Sequence, residues 1–182
     1  MNAKLTGIFL VIALLCVIAV FNFNKMTSYF ARNAESNVET PKEITFADMN
    51  SFLKDSKWVD YAGTPVAADG RFFDSTKTVY VHLWASWCAP CLNEIPELIA
   101  FAKKNKDRAL VVLVSLDDAK DDLTKFLKSF PEMNEPLFFR IWDQEKKLSK
   151  FVDADRLPMT IVLDNRESKL RSVRSVVDWK NF

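Results

Sequence analysis

Residues 78–91 place a pair of cysteines between a buried strand and a helix. The run Thr78–Trp84 is β-branched and aromatic and carries no charge, which is typical of a central strand buried on both faces. Cys88 and Cys91 follow it, and from Cys88 to about Lys104 apolar residues recur at helical spacing. The sequence therefore predicts a strand, a short loop and a helix whose first turn carries both sulfur atoms.

Strands and helices also alternate through the rest of the domain. Thr45 and Asp48 form a capping-box pattern, which predicts a helix from Thr45 to about Lys57. Such alternation is typical of an α/β sheet with crossover connections. The remaining predicted helices are 119–130 and 144–151, and the remaining predicted strands are 58–61, 64–67, 109–115, 160–164 and 169–173, with a further apolar segment at 137–142.

The N-terminal segment Leu5–Phe23 is almost wholly apolar. Its length is close to the roughly 20 residues that cross a bilayer as a helix. The alternative is a cleaved signal peptide, because Lys4 gives a basic start and the strictly apolar stretch is short, but no small-x-small cleavage site follows it. The sequence therefore predicts a membrane anchor over 1–23, a polar tether over 24–42 and a globular domain over 43–182.

Composition limits the class of partner. Lys and Arg together number 25 and Asp and Glu 24, and no segment concentrates the basic residues into a stripe. A nucleic-acid partner is therefore not expected. Three cysteines are too few for a disulfide scaffold, and the third, Cys16, lies inside the apolar run, where we expect a buried apolar side chain.

The spacing of Cys88 and Cys91 suits thiol chemistry. A cysteine in the first turn of a helix gains thiolate character from the helix dipole and the free backbone N–H groups, so Cys88 is the expected nucleophile. Cys91 lies one turn later on the same face and can resolve a mixed disulfide. The alternative is half of a zinc site, but a structural zinc takes four ligands, and the sequence has no second cysteine pair and one histidine, His82. We expect no metal, and no cofactor beyond the Cys88–Cys91 disulfide.

A longer pattern surrounds the cysteines. Residues 81–91 are Val-His-Leu-Trp-Ala-Ser-Trp-Cys-Ala-Pro-Cys, Glu94-Ile95-Pro96 follow, and Leu157-Pro158-Met159-Thr160 precede a strand. Over roughly residues 66–177 the chain resembles the thioredoxin superfamily and, within it, the membrane-anchored TlpA/ResA-type proteins. The resemblance implies a thioredoxin-like α/β fold with a central mixed sheet flanked by helices and one N-terminal transmembrane helix. It also implies a thiol-disulfide oxidoreductase held in the inner (cytoplasmic) membrane, with its domain on the periplasmic side.

The same resemblance assigns binding roles near the pair. Pro158 would form a cis peptide bond and face the cysteines, and the backbone at Leu157 would offer strand-like hydrogen bonds to a substrate peptide. Trp87, Ala89 and Pro90 would form the surrounding surface that a substrate contacts.

Two further positions are candidates for proton handling. Glu94 matches an acidic residue that lines the active-site cavity in similar proteins, and the alternative is a solvated glutamate on the helix face. His82 occupies a strand position where thioredoxins have a buried aspartate and TlpA/ResA-type proteins often an asparagine. An imidazole there could accept the proton of Cys91. The alternative is a neutral histidine packed in the sheet with one hydrogen bond.

The chain departs from the family pattern near its end. No glycine occurs after Gly70, and Ser175-Val176-Val177 stand where a glycine usually approaches the site. The final helix of the family is expected to be short or absent, because the chain ends at Trp179-Lys180-Asn181-Phe182. That edge of the sheet is then covered in a different way.

The residues between the cysteines favour the reducing direction. Strong oxidants of the superfamily carry a histidine there that stabilises the reduced thiolate, whereas this chain has Ala89 and Pro90. We expect reduction of disulfides in exported proteins, with apocytochrome c as the substrate class that the family suggests, and reloading by an upstream membrane or periplasmic thiol donor. The alternatives are a copper-binding and delivery module or a redox-inactive docking domain of an envelope complex.

Overall fold

Seven strands and four α-helices alternate along residues 46–173 of the computed structural model. A 3₁₀-helix, Pro131–Asn134, lies between the third helix and the fifth strand. The apolar segment at 137–142 forms a strand. The elements are α1 (Phe46–Asp55), β1 (Trp58–Val59), β2 (Pro65–Val66), β3 (Thr78–Trp84), α2 (Ala89–Asn105), β4 (Ala109–Ser115), α3 (Lys120–Ser129), β5 (Phe138–Trp142), α4 (Lys147–Phe151), β6 (Met159–Asp164) and β7 (Lys169–Val173).

The third strand lies at the centre of a five-stranded sheet with the order β5-β4-β3-β6-β7. Strands β3, β4 and β5 run parallel, whereas β6 is antiparallel to β3 and β7 is antiparallel to β6. In the β3–β6 pairing, His82 lies opposite Thr160. The predicted central mixed sheet flanked by helices is confirmed.

Alternating side chains of β3 divide the core into two layers. Val81 and Leu83 point to one face, on which α1 and α4 pack. Trp84 points to the other face, where it shares a cluster with Cys88, Cys91 and residues of α2 and α3. Because successive side chains of a strand point to opposite faces, His82 lies on the same side of the sheet as the cysteines.

Local hydrogen bonds explain where α1 begins. The Thr45 hydroxyl accepts a hydrogen bond from the Asp48 N–H at 3.2 Å, and the Asp48 carboxylate accepts one from the Thr45 N–H at 3.1 Å. This is the predicted capping box, although the helix ends at Asp55 rather than Lys57. The predicted pairing of 58–61 with 64–67 is present as the short antiparallel hairpin β1–β2, in which Trp58 lies opposite Val66.

The fourth helix begins later than the prediction of 144–151. Its start is fixed by the Asp143 carboxylate, which accepts hydrogen bonds from the N–H groups of Lys147 and Leu148, both at 2.8 Å. Lys146, directly before the helix, has a left-handed backbone with φ 57°. Residues 144–146 therefore form the turn that leads into the helix, which periodicity alone does not separate from the helix itself.

The structure describes residues 18–27 and 43–182. Residues 44–182 form one compact unit. Residues 18–27 are helical and exposed, and include the apolar Ile18, Phe21 and Phe23. Most of the predicted anchor, Cys16 and most of the predicted tether lie outside the described residues. Within the two described ranges, no helix combines the length and the apolar character needed to cross a bilayer.

Candidate active site

Cys88 and Cys91 form a disulfide at the start of α2, and their Cα atoms are 5.3 Å apart. Cys88 is the N-cap residue of the helix, and its sulfur accepts a hydrogen bond from the Cys91 N–H at 3.3 Å. Cys88 keeps 6% of its surface exposed, whereas Cys91 is fully buried. Cys88 is therefore the sulfur that a partner can approach, as its predicted role of nucleophile requires.

The electrostatic setting of Cys88 suits a charged sulfur. Helix α2 is 17 residues long, and its first turn carries no acidic side chain. The partial positive charge at the helix N-terminus is therefore not neutralised by a neighbouring carboxylate on that turn. When the disulfide is reduced, this setting favours the thiolate form of Cys88.

The predicted substrate-binding residues differ in exposure. Trp87 is 66% exposed, and Ala89 and Pro90 are exposed beside it. The peptide bond between Leu157 and Pro158 is cis, as the resemblance to the thioredoxin superfamily implies. Pro158 is buried, and Leu157 is half-buried and packs against both layers of the core. Substrate binding by these residues stays a prediction.

His82 has polar groups next to both of its ring nitrogens. Its Nδ1 lies 2.9 Å from the Thr160 hydroxyl on the neighbouring strand β6. Its Nε2 lies 3.2 Å from Oε1 of Glu94 on α2. The two residues that the sequence suggested separately for proton handling therefore form one buried pair. The alternative of a neutral histidine packed in the sheet with one hydrogen bond accounts for the contact with Thr160, but not for the contact with the Glu94 carboxylate.

Glu94 is buried, with 3% of its surface exposed, so the alternative of a solvated glutamate on the helix face is wrong. Its Oε2 accepts hydrogen bonds from the Val177 N–H at 2.9 Å and from the Trp179 indole N–H at 3.2 Å. Its Oε1 faces His82 but makes no hydrogen bond of good geometry. One carboxylate oxygen is therefore saturated and the other is open to a proton.

Burial changes the proton affinities of the two partners in opposite directions. Desolvation raises the pKa of Glu94 above its usual value, and the hydrogen bonds from Val177 and Trp179 lower it in part. Desolvation also lowers the pKa of His82 to about 3. Both shifts favour the uncharged forms. Because the two groups are in contact, they take up and release protons as a coupled pair.

Sequence reasoning missed Val177 and Trp179 as contacts of Glu94. The two hydrogen bonds join residues 83 and 85 positions apart, which no local periodicity reveals. The available signal is the departure at 175–177, where the chain has no glycine. In the structure, that segment brings the Val177 N–H to the carboxylate, and no α-helix follows β7 within residues 174–182.

A second buried carboxylate, also missed, holds the loop before Cys88. Asp117 lies two residues after the end of β4 and is fully buried. Its oxygens accept hydrogen bonds from the Ser86 N–H at 3.0 Å, the Ser86 hydroxyl at 2.6 Å and the Ser115 hydroxyl at 2.7 Å. Because Ser86 is two residues from Cys88, Asp117 ties the position of the nucleophile to the central sheet.

The donor set around the pair does not form a metal site. Within residues 18–27 and 43–182, no group of three or more His, Cys, Asp or Glu side chains is arranged to hold a metal ion. The two sulfur atoms are bonded to each other, and the ring nitrogens of His82 face Thr160 and Glu94.

Comparison with known proteins identifies the family. A family model described as thioredoxin-like matches residues 75–169, which is more than half of the 182-residue chain. The chain belongs to the thioredoxin-like family. The match includes the cysteine pair, the His82–Glu94 pair and the cis-proline, so the whole candidate site except its C-terminal contacts lies inside it.

Three relatives illustrate the similarity of this thioredoxin-like chain. It is 39% identical over 66 residues to protein disulfide-isomerase A2 of Mus musculus, covering 32% of this chain and 12% of that protein. It is 29% identical over 98 residues to thiol-disulfide oxidoreductase ResA of Bacillus subtilis, covering 53% of this chain and 52% of ResA. The structure of a secreted Mycobacterium tuberculosis disulfide oxidoreductase homologous to E. coli DsbE aligns with a TM-score of 0.59 and 16% identity, over 72% of this chain and 93% of that one.

These similarities identify a thioredoxin-superfamily protein of the TlpA/ResA type. The solved structure supports the fold, and the family match contains the disulfide at the N-terminus of α2. The thioredoxin-like chain spans about half the length of ResA and a smaller part of protein disulfide-isomerase A2.

Proposed function

We propose that this protein is an extracytoplasmic thiol-disulfide oxidoreductase that reduces disulfides of exported proteins through Cys88 and Cys91. The observation that carries the proposal is the disulfide between an N-cap cysteine that keeps 6% of its surface exposed and a fully buried cysteine one turn later. In such an arrangement the Cys88 sulfur can contact the substrate, whereas the Cys91 sulfur is shielded from it.

The reaction passes two electrons to the substrate in two steps. In the reduced protein, the Cys88 thiolate attacks one sulfur of a substrate disulfide. A bond forms between the two proteins, and the other substrate sulfur leaves as a thiolate. The Cys91 thiol then loses its proton and attacks the Cys88 sulfur. The Cys88–Cys91 disulfide forms, and the second substrate sulfur is released.

The His82–Glu94 pair takes up the proton that Cys91 loses. Glu94 lies one helical turn beyond Cys91 in α2, and His82 lies on the side of the sheet that α2 covers. A carboxylate whose pKa is raised by burial binds a proton at higher pH than an exposed one, which suits a base that works near neutral pH. The proton later passes to the departing substrate thiolate.

A groove beside the pair supports a protein as substrate. It has a volume of about 280 Å³, and its lining includes Ser86 and Leu92, which flank the two cysteines, and Phe126 and Phe130 from α3 and its end. The lining also includes the polar residues Asp122, Lys125 and Ser129. Together with the exposed indole of Trp87, the groove offers both apolar and polar contacts to a peptide that lies near Cys88.

The direction, the substrate class and the location are parts of the same proposal. Ala89 and Pro90 provide no imidazole to stabilise the reduced thiolate, which favours a reductant. Apocytochrome c is the substrate class that the family suggests, and an upstream membrane or periplasmic thiol would reload the pair. The exposed apolar helix at residues 18–23 supports anchoring in the inner membrane, and the Mycobacterium tuberculosis relative is named as secreted.

A trapping experiment tests this function. With Cys91→Ala, the mixed disulfide can no longer be resolved, so Cys88 should remain bonded to its substrates, which can be identified after purification from cells under non-reducing conditions. The matched control is Cys88→Ala, which keeps Cys91 and should trap nothing. A Cys91→Ala protein whose Cys88 does not form mixed disulfides would contradict the mechanism and favour a redox-inactive docking domain.

A redox titration tests the direction separately. Equilibration of the full-length chain with mixtures of reduced and oxidised dithiothreitol should give a low midpoint potential, close to that of thioredoxin at about −270 mV. A midpoint near that of the strong oxidant DsbA, about −120 mV, would reverse the proposed direction while leaving the exchange chemistry intact.

A further inference from the structure

The segment after β7 completes the buried pair from outside the family-matched region. Trp179 is nearly fully buried, and its indole N–H donates to Glu94 Oε2 at 3.2 Å. The same ring packs edge to face against the His82 imidazole, with ring centres 5.8 Å apart. Trp179 therefore contacts both members of the pair, although it lies beyond residue 169, where the family match ends.

This segment is held in place by contacts that do not involve Glu94. The Trp179 ring packs against Phe101 of α2, with ring centres 5.1 Å apart. The Phe182 ring packs against Tyr80 of β3 at 5.8 Å, and the Arg171 guanidinium lies 4.4 Å from its centre. Aromatic packing therefore fixes the position of the Trp179 indole, and the indole N–H in turn orients the Glu94 carboxylate.

The orientation leaves one open position in the pair. Oε2 of Glu94 is occupied by the N–H groups of Val177 and Trp179, and Nδ1 of His82 is occupied by the Thr160 hydroxyl. The remaining atoms, Oε1 and Nε2, face each other at 3.2 Å without a hydrogen bond of good geometry. A single proton can occupy the space between them, on either partner.

We propose that Trp179 is a positioning residue of the redox site, whose indole N–H holds Oε2 of Glu94 so that Oε1 faces His82 and the pair exchanges one proton with Cys91. The inference rests on the proposed thiol-disulfide exchange. It predicts that Trp179 changes the pH at which the pair releases its proton, although Trp179 acts through Glu94 and not through either cysteine.

Trp179→Phe is the variant that separates positioning from packing. Phenylalanine keeps an aromatic ring against His82 and Phe101 but removes the N–H donor. Without that hydrogen bond the Glu94 carboxylate is less well stabilised, so the resolving step should need a higher pH. Since a hydrogen bond to a charged group contributes roughly one pKa unit or more, we expect the midpoint of the pH profile to rise by about one unit.

The measurement follows a single turnover of the reduced full-length chain with a fluorescent disulfide peptide. Release of the second peptide thiol reports the attack of Cys91 and should become about tenfold slower at pH values below the midpoint. Formation of the mixed disulfide, measured in the Cys91→Ala background, should be unchanged, because that step uses only the Cys88 thiolate.

A control variant should leave unchanged the other charged and titratable groups near Glu94. Glu97 lies one turn further along α2 and pairs with Lys180, and His82 approaches from β3. Asn181→Ala weakens the same segment by removing the hydrogen bond from the Asn181 side chain to Asp178, and it alters none of these charges, the indole N–H or the rings that pack against Trp179. It should lower stability slightly and leave the midpoint in place.

A double variant decides whether Trp179 acts through Glu94. Glu94→Gln removes the group that titrates, so adding Trp179→Phe to it should cause no further change in the pH profile. An unmoved midpoint in Trp179→Phe, an equal shift in Asn181→Ala, or a shift that persists beside Glu94→Gln would each overturn the inference. Absence of exchange in the unaltered protein would instead overturn the proposed function.

A spectroscopic measurement covers the case in which Trp179→Phe does not fold. In the unaltered protein, the NMR resonance of the Trp179 indole N–H should shift with pH with the midpoint of the resolving step, because its acceptor changes charge. An indole resonance that does not change across this pH range would overturn the inference.

Discussion

Removal of the Asp117 carboxylate should destabilise the domain by about 3 kcal/mol. The Asp117→Ala variant leaves three donors without their acceptor: the Ser86 N–H, the Ser86 hydroxyl and the Ser115 hydroxyl, which is fully buried. A hydrogen bond to a charged group contributes about 1.5–3 kcal/mol. Ser86 is half-buried, so water can replace part of what it loses. The expected loss therefore corresponds to one or two such bonds.

Urea unfolding of the oxidised protein, followed by tryptophan fluorescence, measures this loss. The matched control is Asp118→Ala at the next residue, whose side chain is 88% exposed and paired with Lys146 at 2.8 Å. A surface ion pair of this kind contributes about 0–1 kcal/mol, so the control should unfold close to the unaltered protein. If the two variants lost equal stability, the idea that Asp117 holds the loop to the sheet would be refuted.

Two further predictions concern buried polar side chains. Burial lowers the pKa of His82 from 6.5 to about 3, so between these pH values the unfolded chain binds a proton at His82 that the folded protein does not. The free energy of unfolding therefore decreases as the pH falls from 6.5 to about 3. The raised pKa of Glu94 has the opposite effect, because it makes the free energy of unfolding decrease as the pH rises above about 4.5. When the pH is lowered from 4.5 to 3, the free energy of unfolding should therefore fall by about 2 kcal/mol more in the unaltered protein than in His82→Asn. Equal falls in urea titrations of the two proteins would contradict this prediction. Tyr61→Phe should cost about 1–2 kcal/mol, because its hydroxyl donates to the Leu113 carbonyl at 3.2 Å and accepts from the Trp84 indole at 2.9 Å; an unchanged urea midpoint would count against these bonds.

Local features of the sequence predicted most of the fold. The strand Thr78–Trp84 has the predicted bounds, because an uncharged run of β-branched and aromatic residues is typical of a strand with little exposure on either face. The capping box at Thr45 and the cis bond before Pro158 are also present as predicted. In each case the deciding residues lie within a few positions of one another, or match a family motif that contains them.

The parts that escaped prediction depend on contacts between distant segments. Glu94 was chosen from a motif, but its burial depends on Trp179, 85 residues later, and His82 finds its partner Thr160 78 residues away. The start of α4 depends on the Asp143 carboxylate and on the left-handed backbone of Lys146. Periodicity describes which face of an element is apolar, and it does not say which polar groups meet across the core.

Cys88 caps α2 with its own sulfur, so the redox state of the pair is thermodynamically linked to the stability of the fold. A charged sulfur is a stronger hydrogen-bond acceptor than a disulfide sulfur, so this cap favours the dithiol form of the folded protein. Folding and reduction form a thermodynamic cycle. Each 1.4 kcal/mol by which folding stabilises the dithiol form more than the disulfide form therefore raises the reduction potential by about 30 mV. If the protein works in the proposed reducing direction, other interactions must stabilise the disulfide form by more than the cap stabilises the dithiol form. The oxidised protein should then be more stable to unfolding than the reduced protein.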